Sequence, residues 1–112
     1  MVDSKYIDLA SSLPRVANNE LLYKKLVAKF EASVDIAAFR SAVSDQDFKK
    51  AGDIVHAAKG VAGNLSLAAF YESSVTLMDQ LRDGGAPAQE NVDEFTRLYS
   101  ETVQAINEYL KE

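Results

Sequence analysis

The chain has 112 residues, 47% of them hydrophobic and 26% charged, which suits one compact domain over 1–112 and excludes both two ordinary-sized cores and global disorder. A net charge of −5 without a lysine or arginine stripe excludes nucleic acid as a partner, and the lack of cysteine excludes disulfides and thiolate metal ligands. No apolar run is long enough to span a bilayer, and residues 1–5 lack the charged-then-apolar layout of a signal peptide, so we expect no membrane contact and a cytoplasmic location.

Proline occurs only at Pro14 and Pro87, and glycine only at Gly52, Gly60, Gly63, Gly84 and Gly85. The stretches between these breakers read as helices, since no long run alternates with period two. A short first helix is predicted over about 3–12, stopping before Pro14, because the residue preceding a proline is driven out of helical geometry. Asn18 or Asn19 then caps a long second helix that runs through Leu22, Leu26 and Phe30 toward Val43. The next break is Ser44-Asp45-Gln46-Asp47, with Ser44 or Asp45 as the expected cap.

The third helix is predicted over about 47–64 and the fourth over about 67–83, closed by Gly84-Gly85-Ala86-Pro87. The last helix is the clearest, because Val92, Phe95, Tyr99, Val103, Ile106 and Leu110 keep three-and-four spacing. Short connections favour antiparallel neighbours. The expected fold is therefore all-α: an antiparallel up-and-down four-helix bundle with a short additional N-terminal helix.

The third helix carries the chemistry. At about 100° of rotation per residue, Ile54, Val55, Ala58, Val61, Ala62 and Leu65 form one apolar stripe, while Lys49, Gly52, His56, Lys59, Gly60 and Gly63 fall on the other side. The single histidine thus faces water among glycines and lysines. Three interior glycines on one face give up about 2–3 kcal/mol of helix stability relative to alanine, so that face serves something other than the helix. Close packing is a weak explanation for glycines placed opposite the apolar stripe. An open imidazole can act as a nitrogen nucleophile toward a phosphoryl group, and a lysine one turn away can offset the charge that arrives.

Other chemistries find no support. No Glu-x-x-His pair is present for a di-metal centre, no buried carboxylate is evident to fix the tautomer of the exposed histidine in a triad, and Gly84-Gly85 lacks the lysine and hydroxyl residue of a phosphate loop. The aromatic residues sit mostly at core spacing.

The run His56-Ala57-Ala58-Lys59-Gly60-Val61-Ala62-Gly63-Asn64-Leu65 resembles the signature of histidine-containing phosphotransfer (HPt) domains, with lysine at i+3 and glycine at i+4 from the histidine. Leu13 to Tyr23 resembles the family's entry into its second helix, and Asp47-Phe48 matches its acidic and aromatic pair ahead of the histidine helix. The resemblance implies a phosphorelay carrier, not an enzyme in its own right. His56 would accept the phosphoryl group, Lys59 would assist electrostatically and Gly60 would keep the approach open, with Lys49, Gly52, Gly63 and Asn64 meeting the partner. The implied partners are response-regulator receiver domains and a hybrid sensor kinase. No cofactor is expected on this chain, the Mg2+ belonging to the receiver, and a monomer is the family-based expectation.

Two positions depart from the family pattern. Ser66 stands where glycine is common, two residues after Asn64, and Met78 falls where some members place a glutamine that orients the histidine; Gln80 would take that role only if the register slips. These departures motivate an alternative, a helical adaptor that docks on receivers without accepting phosphate. An apolar rim for docking is expected from the first two helices, with Ile7 and Leu9 as candidates.

Overall fold

The computed structural model describes residues 2–112; Met1, where the reading of the N-terminus begins, lies outside the described residues. The chain is all-helical, with no strand among the described residues, and forms the predicted bundle with principal extents of 41 × 21 × 20 Å. Its helices are α1 (Leu9–Ser12), α2 (Glu20–Val27), α3 (Phe30–Ser33), α4 (Ile36–Ser44), α5 (Phe48–Leu65), α6 (Ala68–Leu81) and α7 (Gln89–Leu110). Helix α5 lies against α4 and α6, and α6 lies against α7.

The N-terminal helix begins later than expected, at Leu9, and ends at Ser12, ahead of the proline as expected. Asp8 caps α1 by accepting from the Ser11 amide, and the chain continues as a 3-10 turn over Leu13–Val16. Pro14 sits in the first turn of that segment, where its missing N–H costs nothing. Asn19 then caps α2, its side chain accepting from the Leu22 amide at 3.1 Å.

The long second helix is broken into α2, α3 and α4. Val34 adopts an extended conformation, φ −119° and ψ 115°, and the Asp35 side chain accepts from the Ala38 amide at 3.0 Å to start α4. The β-branched Val34 is nonetheless buried, so the apolar rhythm carries across the break and hides it. Asp35 was the visible signal, an N-cap in the middle of a supposed helix.

The cap of α5 is Asp47 rather than Ser44 or Asp45, its side chain accepting from the Lys50 amide at 3.1 Å. The two earlier residues are consumed by the end of α4. Gln46 takes a left-handed φ of 58°, the Gln46 amide returns to the Val43 carbonyl and the Asp47 amide to the Ala42 carbonyl, a Schellman closure that leaves Asp47 as the first free cap. Helix α5 ends in the same way on Ser66, φ 57°, with Leu67 buried behind it.

The core is aromatic. Phe95 lies 4.8 Å from both Phe39 and Phe70, and Phe30 meets Phe70 edge-on at 5.3 Å, so α3, α4, α6 and α7 are joined by one set of rings. Helix α6 ends at Leu81, two residues earlier than predicted, in a 3-10 turn over Arg82–Gly84. Gly85 completes the turn because a β-carbon there would come 2.6 Å from the Gln80 carbonyl oxygen. Among the described residues no helix is long and apolar enough to cross a membrane.

Candidate functional site

Helix α5 buries Ala51, Val55, Ala58, Ala62 and Leu65, and the rotation that turns these inward turns His56 out. His56 is exposed, and among the described residues its ring has neither a hydrogen bond nor an ion pair. It borders a shallow groove of about 380 Å³ between α5 and the end of α6, whose walls include Phe48, Lys49, Gly52, Met78, Leu81 and Arg82. Access to the ring from solvent is unobstructed by the chain's own side chains.

The lysines around the ring differ in their commitments. Lys59, one turn beyond His56, is half-buried and has no ion pair among the described residues, so its charge is available to an incoming anion. Lys49 pairs with Asp53 at 3.4 Å, but both side chains are largely exposed, and such a pair holds with little energy. Arg82, which sequence reasoning passed over, pairs with Asp79 at 2.9 Å in an equally open setting. Its legible signal was spacing: Arg82 lies one turn after Met78 on the helix face that meets the histidine groove.

The three glycines do not share one purpose. A β-carbon at Gly60 would meet nothing within 4 Å, so this position is open ground beside His56. At Gly52 it would meet the Leu81 β-carbon at 3.9 Å, an ordinary contact, and at Gly63 it would press on Tyr71 Cε1 at 3.2 Å. Gly52 and Gly63 therefore lie on the flank of α5 that faces α6, not opposite the core. Packing, set aside on sequence grounds, is the reason for glycine at 63: the Tyr71 ring rests where a side chain would be.

Gly63 and Asn64 stand about 10 Å along the helix from His56 at 1.5 Å per residue. Both offer their carbonyl oxygens to Arg15 Nη1, at 2.7 and 3.4 Å. Sequence reading missed Arg15 because its partners are backbone atoms some fifty positions away, which no local pattern marks.

Two expected contributors are not at the site. Gln80 Oε1 accepts from the Ala88 amide at 2.9 Å, which commits it to the turn between α6 and α7 rather than to His56; the residues of α6 that border the histidine groove are Met78 and Leu81. Ile7 is fully buried in the core and cannot form a docking rim, while Leu9 is half-buried. The perturbed titrations also lie elsewhere. Burial raises Tyr23, Tyr99 and Tyr109, and hydrogen bonds from Tyr6 and then Arg97 hold the Glu101 carboxyl below its ordinary range. The tyrosines of α2 and α7 latch helix to helix, and Glu101 ties the N-terminal segment to α7; these groups are structural.

A family model of the Hpt domain matches residues 27–108, which include His56, Lys59 and Gly60. The chain belongs to the Hpt domain family, and membership gives it a histidine-phosphotransfer role in two-component signalling, with receiver proteins as the class of partner. Comparison with curated proteins and with solved structures returned no match.

Proposed function

We propose that His56 is the phosphoacceptor of a phosphorelay carrier that exchanges its phosphoryl group with the aspartate of response-regulator receiver domains. The observation that supports this reading is the exposed, unpartnered imidazole on α5 with Lys59 and open Gly60 on the following turn. In the forward step a ring nitrogen of neutral His56 attacks the phosphorus of the receiver's acyl phosphate. The phosphorus–nitrogen bond forms as the bond to the aspartyl oxygen breaks, that oxygen leaves with the electron pair as a carboxylate, and the other ring nitrogen keeps its proton. Such transfer passes through a loose transition state, so the protein's work is alignment and charge neutralisation. Lys59 supplies the positive charge, Gly60 the clearance, and Lys49 and Gly52 the near rim of the partner's footprint.

Magnesium is assigned to the acidic pocket of the receiver, and the chain acts in the cytoplasm as a monomeric carrier fed by a hybrid sensor kinase, without kinase or phosphatase activity of its own. The test is incubation with phosphorylated receiver domains of the source organism. Label should pass to the chain in an acid-labile, base-stable form, and label retained by His56→Gln would refute the assignment. A second reading, an adaptor that docks without accepting phosphate, draws on Met78, which offers the ring no hydrogen bond. Receiver binding that survives His56→Ala, together with no labelling of the native chain, would favour it.

A further inference from the structure

We infer that Tyr71, seated on Gly63 and flanked by Arg15, is the apolar anchor on which a receiver domain docks while its phosphoaspartate faces His56. Its identification of the partner rests on the proposed function; its placement rests on the following geometry. Tyr71 is 39% exposed, one of three large apolar side chains exposed among the described residues, and Leu21 and Leu22 both lie on α2. Among the described residues its hydroxyl makes no hydrogen bond and its ring stacks on no other ring. The ring is nevertheless held in place from below, because Gly63 leaves the space in which it rests. A rigid, half-covered aromatic with an unused polar tip is the type of residue that concentrates binding energy at interfaces.

Position ties this anchor to the phosphoacceptor. Gly63 follows His56 by seven residues, close to two full turns, so the two occupy nearly the same side of α5 about 10 Å apart. An interface of standard size covers about 800 Å² on each partner, a patch on the order of 30 Å across. A folded domain that brings an aspartate to His56 therefore covers Tyr71 as well. Beside the ring lies a cleft of about 170 Å³ bordered by Asp8, Ser11, Arg15, Ala62 and Ala68, which can receive a side chain from the partner. Charge points to the same occupant. Arg15 and Lys59 make no ion pair among the described residues, in a chain whose net charge is −5, so with Asp8 the one carboxylate bordering the Tyr71 cleft, this face keeps two cations for the acidic mouth of a receiver.

The experiment is calorimetric titration of the native chain, Tyr71→Ala and Gly63→Ala with a panel of receiver domains, each held in its phosphorylated-like state with beryllofluoride. Thermal melts of each variant confirm that the bundle is intact; alanine is a good helix former at both positions. Tyr71→Ala should weaken the tightest complex about tenfold or more, in line with truncation of an aromatic hot spot. Gly63→Ala, which pushes the ring off its seat, should weaken it in the same direction. Affinity unchanged by Tyr71→Ala, or a panel in which no receiver binds the native chain, overturns the inference. Phosphate labelling of the native chain and of His56→Gln, run in parallel, separates the two claims. Absent labelling with Tyr71-dependent binding removes the acceptor and keeps the anchor; labelling at His56 with Tyr71-independent binding removes the anchor and keeps the acceptor.

Discussion

The hydroxyl of Tyr23 donates to the carbonyl oxygen of Leu65 at 2.5 Å, joining the first turn of α2 to the last residue of the histidine helix. Tyr23 is 1% exposed, and burial raises its pKa, as expected of a phenol with no water to stabilise the phenolate. The bond satisfies one of the last carbonyls of α5, which no residue of the helix itself can reach. Tyr23→Phe should lower unfolding free energy by about 1–2 kcal/mol, because the Leu65 carbonyl is left buried and unpaired. Urea denaturation of the two chains checks this, and an unchanged midpoint would show that water replaces the lost donor.

Ser66 closes α5 in a left-handed conformation, φ 57° and ψ 44°, that suits glycine. The family's usual glycine at this place has a plain physical basis, and this chain carries the strain of a β-carbon instead. Ser66→Gly should stabilise the fold by about 0.5–1 kcal/mol. Part of the gain is offset by loss of the exposed bond from Ser66 Oγ to Ser11 Oγ at 3.1 Å. A lower melting temperature for the glycine variant would show that the hydroxyl pair matters more than the backbone strain.

Gly60 and Gly63 separate access from packing. Gly60→Ala should raise helix stability by about 0.5–1 kcal/mol, since nothing lies within 4 Å of the added carbon. Gly60→Gln should keep the fold and slow phosphotransfer by standing in the partner's path. Melting curves and transfer rates measured on the same preparations check the pair, and an unslowed Gly60→Gln would show that the approach to His56 does not pass over this residue.

Glu101 links pH to stability at both extremes. Its carboxylate accepts from the Tyr6 hydroxyl at 2.6 Å and from Arg97 Nη1 at 2.9 Å, which holds its pKa below the ordinary 4.5, while the bond to Glu101 raises that of Tyr6 above 10.0. In acid the unfolded chain binds this proton first. The stability from Glu101 is therefore complete above pH 4.5 and is lost as pH falls through the lower folded value. In alkali the unfolded tyrosine ionises first, so the contribution of Tyr6 is complete below pH 10.0 and is lost as pH rises through the folded value. Glu101→Gln should flatten both limbs of the stability profile, measured as denaturation midpoint against pH. Limbs as steep as those of the native chain would place the titrating groups elsewhere.

The helix boundaries show how far a local pattern reaches. Gly84 to Pro87 and the rhythm of α7 announced themselves because their signals are carried by neighbours in the chain: a stop is chemical, and an amphipathic face repeats every turn. The break at Val34 escaped notice because burial on both sides of it kept the apolar rhythm in phase, and only the Asp35 cap marked it. The cap of α5 moved from the expected Ser44 or Asp45 to Asp47 through the closure of α4, a hydrogen-bond pattern that depends on Gln46 accepting a left-handed conformation.

At the site, rotation about α5 was enough to bring His56, Lys59 and Gly60 to the surface, since a single helix fixes which of its own side chains share a face. It could not say which helix lies beside that face. Gly52 and Gly63 looked like open ground until α6 arrived with Leu81 and Tyr71; Gln80 was a candidate until the turn after α6 claimed its side chain; Arg15 had no visible purpose until the end of α5 came within reach. Periodicity and the histidine motif are short-range properties, legible from residues a turn or two apart, and they determined the fold class, the family and the exposed imidazole. The floor beneath Tyr71, the groove beside His56 and the latches of Arg15 and Tyr23 depend on contacts between residues distant in the chain, and only the packed bundle decides which of those meet.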